Sequence, residues 1–266
     1  MIYPKCKAII GIPFVVLFIL LPLEAGAQNI EVGVRYNPEF TGLINKNDMT
    51  AGSALQRTGN FAYTGSFGAG AVLNINKHFG LAVDFLFSRE GQRFEGYLGS
   101  NPSDASTYGS VVNTQVVLNH LSVVGDYVAK AELNYFKLPL MISLTSDNTR
   151  PLFFTLLIGP QVDFLQGVAQ EVNHTDETYP NTDITPYDLY KPITINGVLA
   201  LGGACNISSR LVLSARVRGD YGFEDVENKE VMVRYNGAAP VRFYSPERGA
   251  THCITGGLMI GLDYKI

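Results

Sequence analysis

Residues that could perform catalysis are few and scattered in this sequence. The four histidines are His78, His120, His174 and His252, and none belongs to a His-Glu-x-x-His zinc motif. The chain also lacks a phosphate-binding Walker loop, a Cys-x-x-Cys pair and a Gly-x-Ser-x-Gly nucleophile turn. A hydrolase carried by loops would pair His174 or His252 with an acid such as Asp176. Because nothing in the sequence fixes those residues together, we expect no enzyme and no cofactor.

An acidic cluster offers oxygen ligands for a divalent cation. It consists of Glu224, Asp225, Glu227 and Glu230, without the ordered spacing and turn glycine of a calcium-binding loop. We expect this run to be a solvated face and predict no metal site. Lys and Arg number 20 against 24 Asp and Glu, with no basic block, so nucleic acid is not an expected partner.

The first 27 residues have the three parts of a secretory signal peptide. Two lysines precede an apolar run of about 16 residues at 8–23, and Ala-Gly-Ala at 25–27 forms a small-residue cleavage site. We predict cleavage after Ala27. Residues 28–266 then form one exported domain.

Apolar and polar residues alternate with a period of two along the rest of the chain, and no helical stripe persists. The class is therefore all-β. We predict eight strands, at 29–37, 62–74, 78–92, 131–145, 151–165, 191–206, 210–223 and 252–266.

The connections between the predicted strands are alternately short and long. The long ones cover 38–61, 93–130, 166–190 and 224–251 and are rich in Asn, Asp, Gly, Ser and Pro. Short turns at one rim and long loops at the other are typical of a transmembrane barrel whose turns face the periplasm. The sequence thus predicts an eight-stranded antiparallel, up-and-down β-barrel in the outer membrane. A secreted lipocalin-like binder with its apolar face inward is the alternative, since a soluble barrel would solvate its charges.

If the apolar face points outward, the alternation sends acids and bases into the barrel in near balance. The interior of eight strands is only wide enough for side chains, and buried charges need partners, so we expect a paired network. The predicted set is Glu31, Arg35, Asp84, Glu90, Lys137, Gln161, Asp163, Arg216, Arg218, Asp220, Asp263 and Lys265.

Aromatic residues lie near the predicted strand ends, where a membrane barrel carries its interfacial belts. They are Tyr36, Tyr63, Tyr135, Phe136, Phe153, Phe164, Tyr221 and Tyr264. Cys205 and Cys253 also lie in predicted strands, and we expect two surface residues that form no disulfide.

An ordered set of motifs runs through the predicted strands. It comprises Val83–Gly91, Leu133–Leu140, Leu157–Pro160, Gly202-Gly203 and Gly256-Gly257-Leu258. Together these motifs resemble the PorT-like outer-membrane β-barrel family of Bacteroidetes-type bacteria over most of the exported domain. The resemblance implies a link to the protein secretion system particular to that phylum.

We therefore expect a non-enzymatic outer-membrane protein that acts through its extracellular loops or as an accessory of an envelope or protein-secretion complex. The expected partners are outer-membrane lipid and lipopolysaccharide, the barrel assembly machinery and an envelope protein. A small pore or transporter is the alternative function.

Overall fold

The strands of the protein are long and follow one another as an antiparallel meander. The computed structural model describes residues 30–45, 61–98, 125–174, 189–233, 241–244 and 249–266. The strands are β1 (Ile30–Asn45), β2 (Ala62–Asn74), β3 (Phe79–Leu98), β4 (Gly125–Thr145), β5 (Leu152–His174), β6 (Ile193–Asn206), β7 (Leu211–Gly222), β8 (Glu230–Val233), β9 (Val241–Tyr244) and β10 (Thr251–Lys265).

Eight of these strands close into a barrel in the order β1-β10-β7-β6-β5-β4-β3-β2. Strand β1 pairs with β2 on one side and with β10 on the other, so the barrel has no open edge. Strands β8 and β9 pair only with each other, inside the connection between β7 and β10. The predicted all-β, eight-stranded antiparallel barrel is confirmed.

Several strands continue beyond the ends that the sequence predicts. Strand β1 runs on to Asn45, β3 to Leu98 and β5 to His174, while β4 already begins at Gly125. The predicted loops at 38–61, 93–130 and 166–190 are therefore too long, and the predicted loop at 224–251 contains β8 and β9. The reason is that backbone pairing with the neighbouring strand holds these extensions, although their apolar alternation has faded.

The two rims of the barrel differ as predicted. Residues 75–78, 146–151 and 207–210 form short turns at one rim, and the longer connections leave the other. A transmembrane barrel of this kind turns its short connections to the periplasm. In the part of the chain that the structure describes, no helix has the length and apolarity that crossing a membrane requires.

Apolar side chains face outward and charged side chains face inward. On β7, the side chain of Val217 is 68% exposed, whereas its neighbours Arg216 and Arg218 are buried. A soluble barrel has the opposite polarity, so the lipocalin-like alternative is wrong.

An aromatic row crosses five neighbouring strands on the outer wall. Its members are direct cross-strand neighbours: Tyr36, Phe67, Phe87, Phe136 and Phe164. The ring centroids of Phe67 and Phe87 lie 5.9 Å apart, and those of Phe87 and Phe136 lie 5.5 Å apart. Contacts of this kind stabilise both the sheet and its position at the membrane interface.

Two residues of the predicted aromatic belt do not belong to it. Tyr135 and Phe153 are buried, because their positions in β4 and β5 belong to the inward-facing set.

Candidate functional site

The barrel interior holds a network of charged side chains, which we call the lumen network. Alternate residues of β1, β3, β4, β5, β7 and β10 point inward and bring these groups together. Its members are Glu31, Arg35, Glu39, Asp84, Glu90, Lys137, Asp163, Arg216, Arg218, Asp220, Asp263 and Lys265.

Arg35 joins three strands in the half of the lumen near the short turns. Its Nη1 atom lies 2.5 Å from Oδ1 of Asp263 in β10, and its Nε atom lies 3.3 Å from Oδ1 of Asp84 in β3. Gly70 in the intervening β2 leaves room for this crossing. A Cβ at that position would lie 3.1 Å from Nε and Nη2 of Arg35 and would also meet Asp84.

Arg218 occupies the middle of the lumen. It donates to both carboxylate oxygens of Asp220, from Nε at 2.9 Å and from Nη2 at 3.2 Å. Nη2 also donates to Oε1 of Gln161 at 2.5 Å, and Nη1 lies 4.0 Å from Oδ2 of Asp84. The two-point contact with Asp220 fixes the plane of the Arg218 guanidinium, which a lysine at the same position could not do.

Lys137 bridges two carboxylates in the half of the lumen near the long loops. Its Nζ atom forms an ion pair with Glu90 and lies 3.2 Å from Oδ2 of Asp220. The Cys253 thiol donates to Oε2 of Glu90 at 2.8 Å. Cys253 is therefore a buried lumen residue, and the prediction that places it on the surface is wrong for this cysteine. The reason is that its position in β10 faces inward, as Thr255 does.

Cys205 is exposed, and both cysteines are free. The predicted surface position is therefore confirmed for Cys205.

A glutamate lies at each end of the lumen network and is held by neighbouring side chains. Near the long loops, Glu39 accepts hydrogen bonds from the Ser88 hydroxyl at 2.9 Å and from Asn37 Nδ2 at 2.5 Å. At the other end, Glu31 lies 3.8 Å from Nζ of Lys265, which also donates to Oδ1 of Asn206 at 2.8 Å.

Arg216 differs from the other two arginines of the lumen network. It donates to the hydroxyls of Thr155 at 2.8 Å and Ser214 at 3.0 Å. Among the residues with described side chains, no carboxylate lies within ion-pair distance of it.

The structure places ten of the eleven charged residues of the predicted set at 7% exposure or less. The eleventh, Lys265, has a side chain that is 20% exposed at the short-turn rim. A continuous path of ion pairs runs through Asp263, Arg35, Asp84, Arg218, Asp220, Lys137 and Glu90.

Glu39 is the charged member that sequence reasoning missed. It is fully buried, but the predicted first strand ends at Asn37, one residue before Pro38. The alternation itself could have predicted this position, because the polar face of the strand continues past Pro38. Its residues are Arg35, Asn37, Glu39 and Thr41.

The described histidines make structural contacts. Nδ1 of His78 lies 3.2 Å from the carbonyl oxygen of Thr145, in the short-turn region. Nδ1 of His252 lies 3.0 Å from the carbonyl oxygen of Gly222, and its ring stacks on Tyr221 at 5.7 Å. His120 and Asp176 lie outside the described residues, and of His174 only the backbone is described.

The acidic cluster near the end of β7 is tied to its surroundings. Asp225 accepts a hydrogen bond from the backbone amide of Thr251 at 2.9 Å and lies 3.5 Å from Nζ of Lys229. Among the described residues, no three His, Cys, Asp or Glu side chains are arranged to hold a metal ion.

A short turn outside the membrane holds one carboxylate with a shifted pKa. Asp147 accepts hydrogen bonds from the Thr149 hydroxyl at 2.6 Å and from the Thr149 amide at 3.1 Å. These two hydrogen bonds, the hydroxyl first, lower the pKa of Asp147.

Several solved structures are similar to this chain at low identity. Neisserial surface protein A is 10% identical, with 89% of this chain and 97% of that one covered and a TM-score of 0.44. Ail of Yersinia pestis is 9% identical, with 90% and 100% covered and a TM-score of 0.39. The outer membrane protease OmpT from Escherichia coli is 8% identical, with 91% and 98% covered and a TM-score of 0.39. None of these likenesses bears on function.

Among curated protein sequences, none matches this chain. The family described as outer membrane protein beta-barrel domain matches residues 26–228, which is more than half of the sequence. The closed barrel with its apolar outer wall agrees with that match, and the outer membrane is therefore the location of the protein. The chain belongs to the outer membrane protein beta-barrel domain family.

Proposed function

We propose that this protein is a non-enzymatic, non-conducting outer-membrane barrel that acts through its extracellular loops, as an accessory of an envelope or protein-secretion complex. The lumen network carries this proposal, because buried, mutually paired side chains occupy the interior where solute would have to pass. A barrel with a filled lumen offers partners only its outer wall and its rims.

The PorT-like resemblance supports the link to secretion. Its motifs lie in β3, β4, β5, β6 and β10, and those in β3 and β4 contain Asp84, Glu90 and Lys137 of the lumen network. The proposed partners are an envelope protein at the long-loop rim, the barrel assembly machinery during insertion, and outer-membrane lipid around the wall. Export is proposed to remove residues 1–27, which N-terminal sequencing of the mature protein, starting at Gln28, would test.

Deleting the gene in the native host tests the accessory role. We expect proteins secreted into the medium to decrease while the outer membrane still excludes large antibiotics. Unchanged secretion would contradict the role.

A photo-crosslinking amino acid distinguishes the two rims. Phe223 lies at the long-loop rim and Ile207 lies at the short-turn rim, and both side chains are more than half exposed. We expect a cross-link to an envelope protein from position 223 and none from position 207. A cross-link from 207 alone would move the partner surface to the periplasmic side.

A small pore remains the second candidate function, because the acids of the lumen network outnumber its bases by seven to five. Such an excess would favour cations in any passage that opened.

A further inference from the structure

The barrel wall has a break in its hydrogen-bond ladder between β2 and β3. Regular pairing of these strands ends at Gly65 opposite Arg89, and one isolated bridge follows at Phe61 opposite Gln92. We call the stretch in between, where residues 62–64 of β2 and residues 90–91 of β3 do not pair with each other, the seam.

A side chain from β1 replaces the missing ladder on the inner face of the seam. The Thr41 hydroxyl accepts a hydrogen bond from the Gly91 amide at 2.9 Å and donates to the Gly91 carbonyl oxygen at 3.0 Å. Leu43 donates its backbone amide to Oε1 of Gln92 at 3.3 Å. The inner face is therefore closed, although β2 and β3 do not pair with each other there. Residues 62–64 of β2 keep their pairing with β1.

The outer face of the seam is a cavity of about 570 Å³, a volume typical of small-molecule pockets. Its floor carries the outward-facing rings of Tyr36, Tyr63, Phe67 and Phe87, each more than half exposed. These rings lie on the aromatic row or beside it, near the long-loop end of the apolar band. The floor therefore faces lipid chains close to the outer interface.

The opposite edge of the cavity is polar and carries a net positive charge. Arg89, Lys130 and Glu132 line it, and Nζ of Lys130 lies 2.7 Å from Oε1 of Glu132. That pair neutralises itself. Arg89 also attracts the Glu132 carboxylate electrostatically. Among the residues with described side chains, however, no carboxylate lies within ion-pair distance of the Arg89 guanidinium, which leaves it able to donate hydrogen bonds to an anion.

We propose that this cavity binds one phosphorylated glycolipid of the outer leaflet, with a phosphate on Arg89 and an acyl chain against Tyr63 and Phe87. Arginine recognises phosphate through two parallel hydrogen bonds. The aromatic floor is apolar and faces the lipid chains, so it favours an acyl chain over a water-soluble ligand. The site rests on the outer-membrane location of the protein and does not depend on the accessory role.

Native mass spectrometry of the purified barrel with added bis-phosphorylated lipid A tests the site. We expect Arg89→Ala to weaken the first lipid-binding event roughly tenfold, the factor that one charge-assisted contact typically supplies. Phe87→Ala should weaken it as well, for the phosphorylated and the dephosphorylated lipid alike. For dephosphorylated lipid A, the wild type and Arg89→Ala should have the same affinity, because the lipid has no phosphate for Arg89 to contact. Inorganic phosphate at millimolar concentration should not displace the phosphorylated lipid from the wild type.

Two control variants match these changes at the other rim. Arg150→Ala removes an exposed arginine of the short-turn region, and Phe154→Ala removes an exposed ring of the wall nearby. Both should bind lipid A like the wild type, and a boiling-dependent gel shift verifies that every variant is folded.

Equal binding by wild type and Arg89→Ala would overturn the proposal, as would equal weakening by Arg150→Ala. Either result leaves the loop-borne accessory role untouched, since that role is read from secretion and cross-linking.

Discussion

Replacing Lys137 with methionine should destabilise the barrel more than any exposed lysine replacement. The ammonium group of Lys137 pairs with Glu90 and Asp220, and methionine fills a similar volume without the charge. Breaking a buried ion pair by removing one partner costs roughly 3–5 kcal/mol, because the remaining charge stays buried without compensation. We expect a loss in that range, since two carboxylates lose their shared partner.

Lys130→Met is the matched control. Nζ of Lys130 lies 2.7 Å from Oε1 of Glu132, closer than the 3.2 Å between Lys137 and Asp220, but the Lys130 side chain is 51% exposed. Exposed pairs contribute about 0–1 kcal/mol, so this variant should be near wild type. The double variant Lys137→Met with Glu90→Gln should recover part of the loss, because it removes one uncompensated charge.

Urea unfolding of the barrel in lipid vesicles gives the free energies. The chain has no Trp, so far-ultraviolet circular dichroism and the boiling-dependent gel shift replace intrinsic fluorescence as readouts. If Lys137→Met lost no more stability than Lys130→Met, the lumen network would not be the coupled electrostatic system described above.

Three further perturbations test separate parts of the structure. Thr41→Val should cost about 1–3 kcal/mol and speed amide exchange at the seam, because a buried donor and acceptor lose their partner; unchanged exchange would contradict this. Gly70→Ala should cost about 1–3 kcal/mol by displacing the arginine that crosses behind it, whereas Gly256→Ala should be neutral in urea unfolding, since a Cβ there meets nothing within 4 Å. In the short turn, Thr149→Val should raise the pKa of Asp147 toward its unfolded value of about 3.9, as followed by carboxyl-carbon NMR. The folded pKa of Asp147 lies below its unfolded pKa, so the stability that this carboxylate contributes is complete above the unfolded pKa and is lost as pH falls through the folded pKa. An unshifted titration of Asp147 in the variant would refute the hydrogen bond as the cause.

The inward-facing positions could be predicted wherever alternation was unbroken. Arg216, Arg218 and Asp220 lie two residues apart on one strand, and a period of two sends all of them to the same face. Glu39 lies outside the predicted first strand, which ends at Asn37, whereas β1 continues through Pro38 to Asn45, because a proline removes one donor and leaves the alternation intact.

Ion-pair partners could not be predicted from the sequence. Arg35 reaches Asp84 across β2, and Lys137 reaches Asp220 on a strand with which β4 makes no ladder. Such pairs depend on the closure and stagger of the whole barrel, which no local pattern encodes. The seam could not be predicted either, because residues 62–64 of β2, which pair with β1 but not with β3, have an ordinary strand sequence.

The measurement that tests the central claim most directly is the conductance of the purified, folded barrel in planar lipid bilayers. The lumen network predicts no steady conductance steps above the background of a protein-free membrane. Steady, reproducible steps from protein that passes the gel-shift test would contradict the account and favour a small pore.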